Sequence, residues 1–126
     1  MENQISKHST TIDNMLAAWN ERDLSRVRGR FEAVLAPDIA FIDPTIETHG
    51  LDEFEENVRD FRSKYPQANI RRASGIDSHH NLHRYSWEIA IEAKVILVGF
   101  DVAETAEDGK VCRVLGFFGP LPQLNH

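Results

Sequence analysis

The feature that most constrains this chain is a change of character at Ala68. Beyond it lie four stretches rich in β-branched and aromatic residues, 69–77, 82–92, 94–104 and 110–118, a composition that suits pleated, half-buried strands. Short polar connections separate them: residues 77–81, a tight turn near Glu92-Ala93-Lys94, and Glu107-Asp108-Gly109. The Asp-Gly pair is the strongest hairpin signal present. Strands joined this way pair with their sequence neighbours, so the second half of the chain is expected to be an antiparallel sheet.

The first half is helical by its spacing. Ile12, Met15, Leu16 and Trp19 recur at the period of an amphipathic helix behind candidate N-caps Ser9-Thr10-Thr11. Residues 1–8 are expected to be a flexible N-terminus. Asp23 can cap a second helix carrying Leu24, Val27, Phe31 and Val34 or Leu35, stopped by Pro37. A short strand, 39–42, follows, and residues 43–50 read as a loop. The third helix bears Leu51, Phe54, Val58, Phe61 and Tyr65 and ends at Pro66. The order α-α-β-α-β-β-β-β implies an α+β fold in which three helices pack on the concave face of a strongly curved, mixed, mostly antiparallel sheet. Such a cone has an open end suited to a small-molecule pocket. The 126 residues are read as one domain, 1–126.

Composition narrows the function classes. Fourteen basic residues against twenty acidic ones give a net charge of −6, which argues against a nucleic-acid surface. No apolar run approaches a membrane span, and residues 1–11 are too polar for a signal peptide. The single cysteine, Cys112, cannot form an internal disulfide or a multi-thiolate metal site. The expectation is a cytoplasmic protein with no membrane partner.

Two carboxylates stand out. Asp43 closes the apolar stretch Phe41-Ile42, and Asp101 sits within Leu97-Val98-Gly99-Phe100-Asp101-Val102-Ala103. Burying a lone carboxylate costs several kcal/mol or forces it to protonate. Two of them around an apolar pocket can divide labour, one an ionised base, the other a neutral donor. If the last hairpin turns on Asp108-Gly109 alone, Asp101 opposes Gly116, and Cys112, Val114, Gly116 and Phe118 share its face. Gly116 then leaves space beside Asp101 and Phe118 supplies an apolar wall. A three-residue loop inverts that face.

At this point the sequence resembles the nuclear-transport-factor-2-like superfamily of cystatin-like cones, which includes ketosteroid isomerases and SnoaL-like polyketide cyclases. The resemblance runs from Ala17-Ala18-Trp19-Asn20-Glu21-Arg22-Asp23-Leu24 to Gly116-Phe117-Phe118-Gly119. Between them lie Ile42-Asp43-Pro44 before His49-Gly50-Leu51, then Gly99-Phe100-Asp101 and Asp108-Gly109-Lys110-Val111. It implies that Asp43 falls where the isomerases carry their proton-shuttling base and Asp101 where they carry the protonated acid of the oxyanion hole. It also implies a homodimer paired through the outer sheet face. Met15 stands where those isomerases carry an oxyanion tyrosine, and a thioether donates no hydrogen bond. The Arg-x-Asp strand pairing of the related epoxide hydrolase is not found.

Other residues have plainer readings beside their functional ones. Asp43 can be a turn residue bonded to the amides of the Pro44-Thr45 loop. His83, Tyr85, Trp87, Ile89 and Ile91 share one strand face and can line a pocket, an interface or the core; for Trp87, packing is favoured. Arg84 is read as the partner of Asp77 or Glu88. His79 and His80 face opposite ways in a strand, so a hydrophilic turn explains them better than a metal site. The stripe Arg22, Arg26 and Arg30, with Arg28 beside it, reads as a solvated helix face, with phosphate or nucleic-acid binding as its lesser alternative.

The resulting expectation is a small-molecule pocket protein needing no cofactor and no metal. It is expected to be an isomerase or cyclase that moves a proton on an apolar carbonyl compound of polyketide or steroid type. Asp43 is the expected base and Asp101 the neutral donor, with Met15, Trp19, Phe41, His83, Tyr85, Trp87 and Phe118 lining the pocket. The competing expectation is a non-catalytic ligand-binding or dimeric interaction module.

Overall fold

The computed structural model describes the backbone of residues 2–124 and the side chains of residues 8–124. Three helices, α1 (Glu2–Trp19), α2 (Val27–Val34) and α3 (Leu51–Lys64), accompany seven strands. These are β1 (Leu35–Asp43), β2 (Ile46–His49), β3 (Ala68–Arg72), β4 (Asp77–His79), β5 (Leu82–Ile91), β6 (Lys94–Thr105) and β7 (Val111–Phe118). The sheet runs β2-β1-β7-β6-β5-β3, with β4 paired to β5. All pairings are antiparallel except β1 with β7. The α+β cone expected from the sequence is therefore present.

Three details differ at the N-terminal side. The backbone is helical from Glu2, so α1 starts ahead of the Ser9-Thr10-Thr11 run, and Met1 lies outside the described residues. The Ser9-Thr10-Thr11 run is consequently interior to α1, not its cap. A later tertiary contact explains the extension: the His8 ring packs on that of His83, with centroids 4.4 Å apart. Strand β1 begins at Leu35 and runs through Pro37. The supposed loop before α3 contains β2, where Gly50, at φ +86°, supplies the left-handed turn into the helix.

The apolar stripes meet as expected. Ile12, Met15 and Leu16 of α1, Val27 and Phe31 of α2, and Leu51, Phe54 and Val58 of α3 are buried with Leu35, Ile39 and Phe41 of β1. At their centre the Trp19 ring meets Phe31, Phe41, Phe54 and Phe61 at centroid distances of 5.7–6.4 Å. Mostly edge-on aromatic packing of this kind adds to plain area burial.

The register of β6 decides everything near Asp101, and both hairpins that flank it are bulged. Between β6 and β7 the loop is the three-residue one, closed by Ala106 N–H to Lys110 O at 2.8 Å and ended by Gly109 at φ +87°. That loop pairs Thr105 with Val111, yet Glu104 already pairs with Arg113, so Cys112 is an extra residue. The bulge cancels the effect of the longer loop, and Asp101 still faces Gly116. Between β5 and β6, Glu92 and Ala93 both have positive φ, at 51° and 66°, forming a tight turn. There Ala90 pairs with Val95 but Ile89 with Leu97, leaving Ile96 as the extra residue. This second bulge brings Tyr85, not Arg84, opposite Asp101.

Candidate active site

Because paired residues share a face, the registers stack the inner surface into rows. One row holds His83, Ala103, Val114 and Phe41; the next, Tyr85, Asp101 and Gly116, with Asp43 beside them; the next, Trp87, Gly99 and Phe118. The inner face of β5 is therefore the His83-Tyr85-Trp87 face, and Arg84 points outward to an ion pair with Asp77 at 2.7 Å. Cys112, expected on the Asp101 face, is displaced by its role in the bulge; its Sγ reaches the Glu104 carbonyl at 3.4 Å.

Asp101 is 7% exposed. Its Oδ1 accepts from Trp87 Nε1 at 2.9 Å, and its Oδ2 accepts from the Tyr85 hydroxyl at 3.1 Å. Burial pushes its pKa up to about 6, opposed by those two donors and helped by the nearby charge of Asp43. Around neutrality the group is thus largely a carboxylate, held by two donors, with no basic residue among the described residues bonded to it. Burial and the Asp101 carboxylate together drive the Tyr85 phenol well above its ordinary value, so it stays a proton donor.

Trp87 is aimed by a glycine. A Cβ at Gly99 overlaps the Trp87 ring and the Phe117 carbonyl. Only glycine lets the indole lie across β6 with its N–H toward Asp101. Phe118 then meets Trp87 edge to face at 5.8 Å. Gly116 plays a similar part between the two acids. A Cβ there lies 3.0 Å from Asp101 Oδ1 and 3.3 Å from Asp43 Cβ. The space expected beside Asp101 is thus taken up by the approach of the two aspartates.

Asp43 has a different setting. Its Oδ1 accepts from Thr45 N at 2.8 Å, Thr45 Oγ1 at 2.7 Å and Ile46 N at 3.1 Å. This is the turn reading weighed for it, and it organises the entry to β2. The side chain still faces Asp101 across Gly116.

The remaining candidates divide between wall and core. Met15, Phe41, Tyr85 and Trp87 are buried in the main apolar cluster, with Trp19 and Phe118 packed against it. Asp101 itself is buried between Tyr85 and Trp87, which are 4% and 7% exposed. His83 is 1% exposed, its ring nitrogens hydrogen-bonded to Ser78 Oγ at 2.7 Å and Thr105 Oγ1 at 3.1 Å. His79, the last residue of β4, and His80, in the turn after it, are both exposed. No cluster of metal-ligating side chains occurs among the described residues. No described helix is long and apolar enough to cross a membrane.

Sequence reasoning missed two things here. One is that Tyr85 and Trp87 donate to Asp101, a relation that required the Ile96 bulge. The other is Arg72, ion-paired to Asp13 of α1 at 2.8 Å, close enough for both to act on the Tyr85 phenol.

Comparison with known proteins agrees with this architecture. A SnoaL-like family protein from Agrobacterium tumefaciens str. C58, provisionally named an isomerase, shares 28% identity at a TM-score of 0.85, over 91% of this chain and 99% of that one. An NTF2-like protein of unknown function from Exiguobacterium sp. 255-15 is 18% identical with a TM-score of 0.73, covering 88% and 99%. A protein from Jannaschia sp. CCS1, provisionally named a SnoaL-like polyketide cyclase, is 9% identical with a TM-score of 0.72, covering 90% and 85%. At such identities the latter two speak to the fold alone. No curated protein matches the sequence. Residues 12–114, which contain both aspartates and nearly all of the sheet, match the SnoaL-like domain, and the chain therefore belongs to the SnoaL-like family.

Proposed function

We propose that the chain is a cofactor-independent isomerase or cyclase that moves a proton on an apolar carbonyl compound of polyketide or steroid type, with Asp101 as the base. The observation that carries this is a nearly enclosed carboxylate, poised at a pKa of about 6, whose two partners are both proton donors. General bases work best with a pKa near the working pH. Asp101 takes a proton from the carbon next to the carbonyl. Returning it to another carbon isomerises the substrate; leaving the enolate to attack a second carbonyl closes a ring. This reverses the division of labour read from the sequence. Asp101 receives two hydrogen bonds that favour its ionised form, whereas one oxygen of Asp43 is committed to its turn. Trp87 and Phe118 form the apolar wall, and substrate entry displaces the half-buried Phe118.

The test is deuterium exchange and isomerisation on a panel of cyclic enones and β-diketones, followed by NMR for the wild type and Asp101→Asn. Turnover that rises through about pH 6 and disappears in the variant is expected. No exchange by the wild type across the panel overturns the reading.

The burial of Met15, Tyr85 and Trp87 in the apolar cluster favours a second reading, a non-catalytic ligand-binding or interaction module. It predicts saturable binding of an apolar carbonyl compound with no exchange, unchanged in Asp101→Asn.

The proposal includes a homodimer, in a cytoplasmic setting. The outer sheet face presents exposed Ile96, Val98 and Phe117, with Phe117 stacked on Phe100 at 5.2 Å. An apolar strip of this kind marks an interaction surface. Light scattering at twice the 14.4 kDa chain mass, reverting to one chain mass in Phe117→Asp, is the expected result.

A further inference from the structure

The arginine stripe has one member that its surroundings do not absorb. Arg26 pairs with Asp23, Arg28 with Asp52 and Glu55, and Arg30 with Glu21. Arg22 has no carboxylate partner among the described residues. Across from it, Arg62 near the end of α3 is only 4% exposed and equally lacks an acid. Its Nη1 donates to Ala68 O at 2.7 Å and its Nη2 to Pro66 O at 2.9 Å, while its buried Nε has no partner. A guanidinium carries five N–H donors, so two carbonyls leave it short of acceptors and of negative charge. The two arginines line the same hollow of about 180 Å³, together with Leu24, Pro66 and Gln67.

We infer that this hollow is a binding site for a phosphate group, with Arg22 and Arg62 neutralising its two negative charges. Burial and the charge of Arg22 both weigh against the protonated form of Arg62, so the hollow sets two like charges against each other. A dianion between them removes that repulsion and supplies acceptors to the unused N–H groups. Arginine suits this task because its planar fork matches phosphate oxygens. The volume admits a phosphate with room for an ester substituent toward solvent, so free phosphate and a phosphomonoester share the required chemistry. The site lies where the loop after α1 meets the end of α3, away from the row that holds Asp101.

Thermal unfolding in inorganic phosphate or phenyl phosphate, balanced with chloride to constant ionic strength, tests the site. A saturable rise in Tm is expected for the wild type, with affinity weakened about tenfold or more in Arg22→Gln, the size of a lost charge-assisted hydrogen bond. Arg26→Gln, which removes a cation already paired with Asp23, leaves that affinity unchanged. Arg22 is exposed, so its substitution does not threaten folding. Saturation by either ligand that depends on Arg22 supports the site, and the tighter one identifies the source of the phosphate. No saturable rise, or an equal rise in Arg22→Gln, overturns it.

Discussion

Asp43 and Asp101 are the same chemical group, set a glycine's width apart, and they behave differently. Asp43 sits at a strand end, where two backbone amides and a hydroxyl converge on one oxygen. Asp101 sits mid-strand under aromatic rings, with one side-chain donor for each oxygen. The first arrangement builds a turn; the second leaves a carboxylate whose charged form is expensive. At Asp101, enclosure outweighs the two donors that favour the charged form. The contrast places the cost of the site at Asp101, since a rise from 3.8 to about 6 corresponds to about 3 kcal/mol at most.

Breaking the comparison at Asp101 has the largest effect. Asp101→Asn is expected to lower turnover by about 10²–10⁴-fold, the usual contribution of a general base. The same variant should be more stable than the wild type at pH 8. A carboxyl whose pKa is raised on folding adds stability that is fully present below about 3.8 and lost as pH rises through about 6. The amide keeps an acceptor for Trp87 and can donate to the Tyr85 oxygen. Denaturant melts should therefore show a gain of about 1–3 kcal/mol at pH 8 that vanishes at pH 3.5. Equal gains at both pH values contradict the assignment.

Gly99→Ala comes next. A methyl group there forces the Trp87 ring away from β6, an overpacking that costs about 1–3 kcal/mol. It also removes one donor, so the titration of Asp101 followed by carboxyl-selective NMR should move upward. Tyr85→Phe removes the other donor with less disturbance. About 1.5–3 kcal/mol attaches to a hydrogen bond to a charged group, so Asp101 should again titrate higher, with turnover at pH 6 falling about tenfold or more. Asp43→Asn gives the smallest change. It retains the oxygen that the turn uses and deletes only a neighbouring charge, so the acid limb of the rate profile should shift down by less than one pH unit. A loss of rate as large as that of Asp101→Asn would return the base to Asp43.

Much of this contrast was legible in the chain. The helical stripes, the four late strands and the isolation of Asp101 among apolar residues all follow from periodicity and composition. The Asp101–Gly116 pairing was legible too, though for an incomplete reason, since the loop has three residues and Cys112 compensates. What the chain concealed were the bulges. Ile96 and Cys112 are ordinary strand residues by composition, and nothing local marks either as unpaired. The short strands β2 and β4 were hidden because their sequences, Ile46-Glu47-Thr48-His49 and Asp77-Ser78-His79, are held by neighbours rather than by propensity. The helical start of α1 was equally a matter of tertiary contact, through His8 and His83.

The two bulged hairpins carry a consequence of their own. Strand faces alternate with every residue, so a paired residue and an extra one count differently for the face that Asp101 presents. Deleting either extra residue, Ile96 or Cys112, leaves the pairs on both sides of it unchanged. Deleting a paired residue between a bulge and the acid, Val98 in β6 or Val114 in β7, instead turns β6 over relative to one neighbour. The acid then parts company with Tyr85 and Trp87, or with Gly116 and Asp43. In this sheet, the loss of one paired residue acts on the carboxylate as an all-or-none switch, where a substitution at the same place only tunes it.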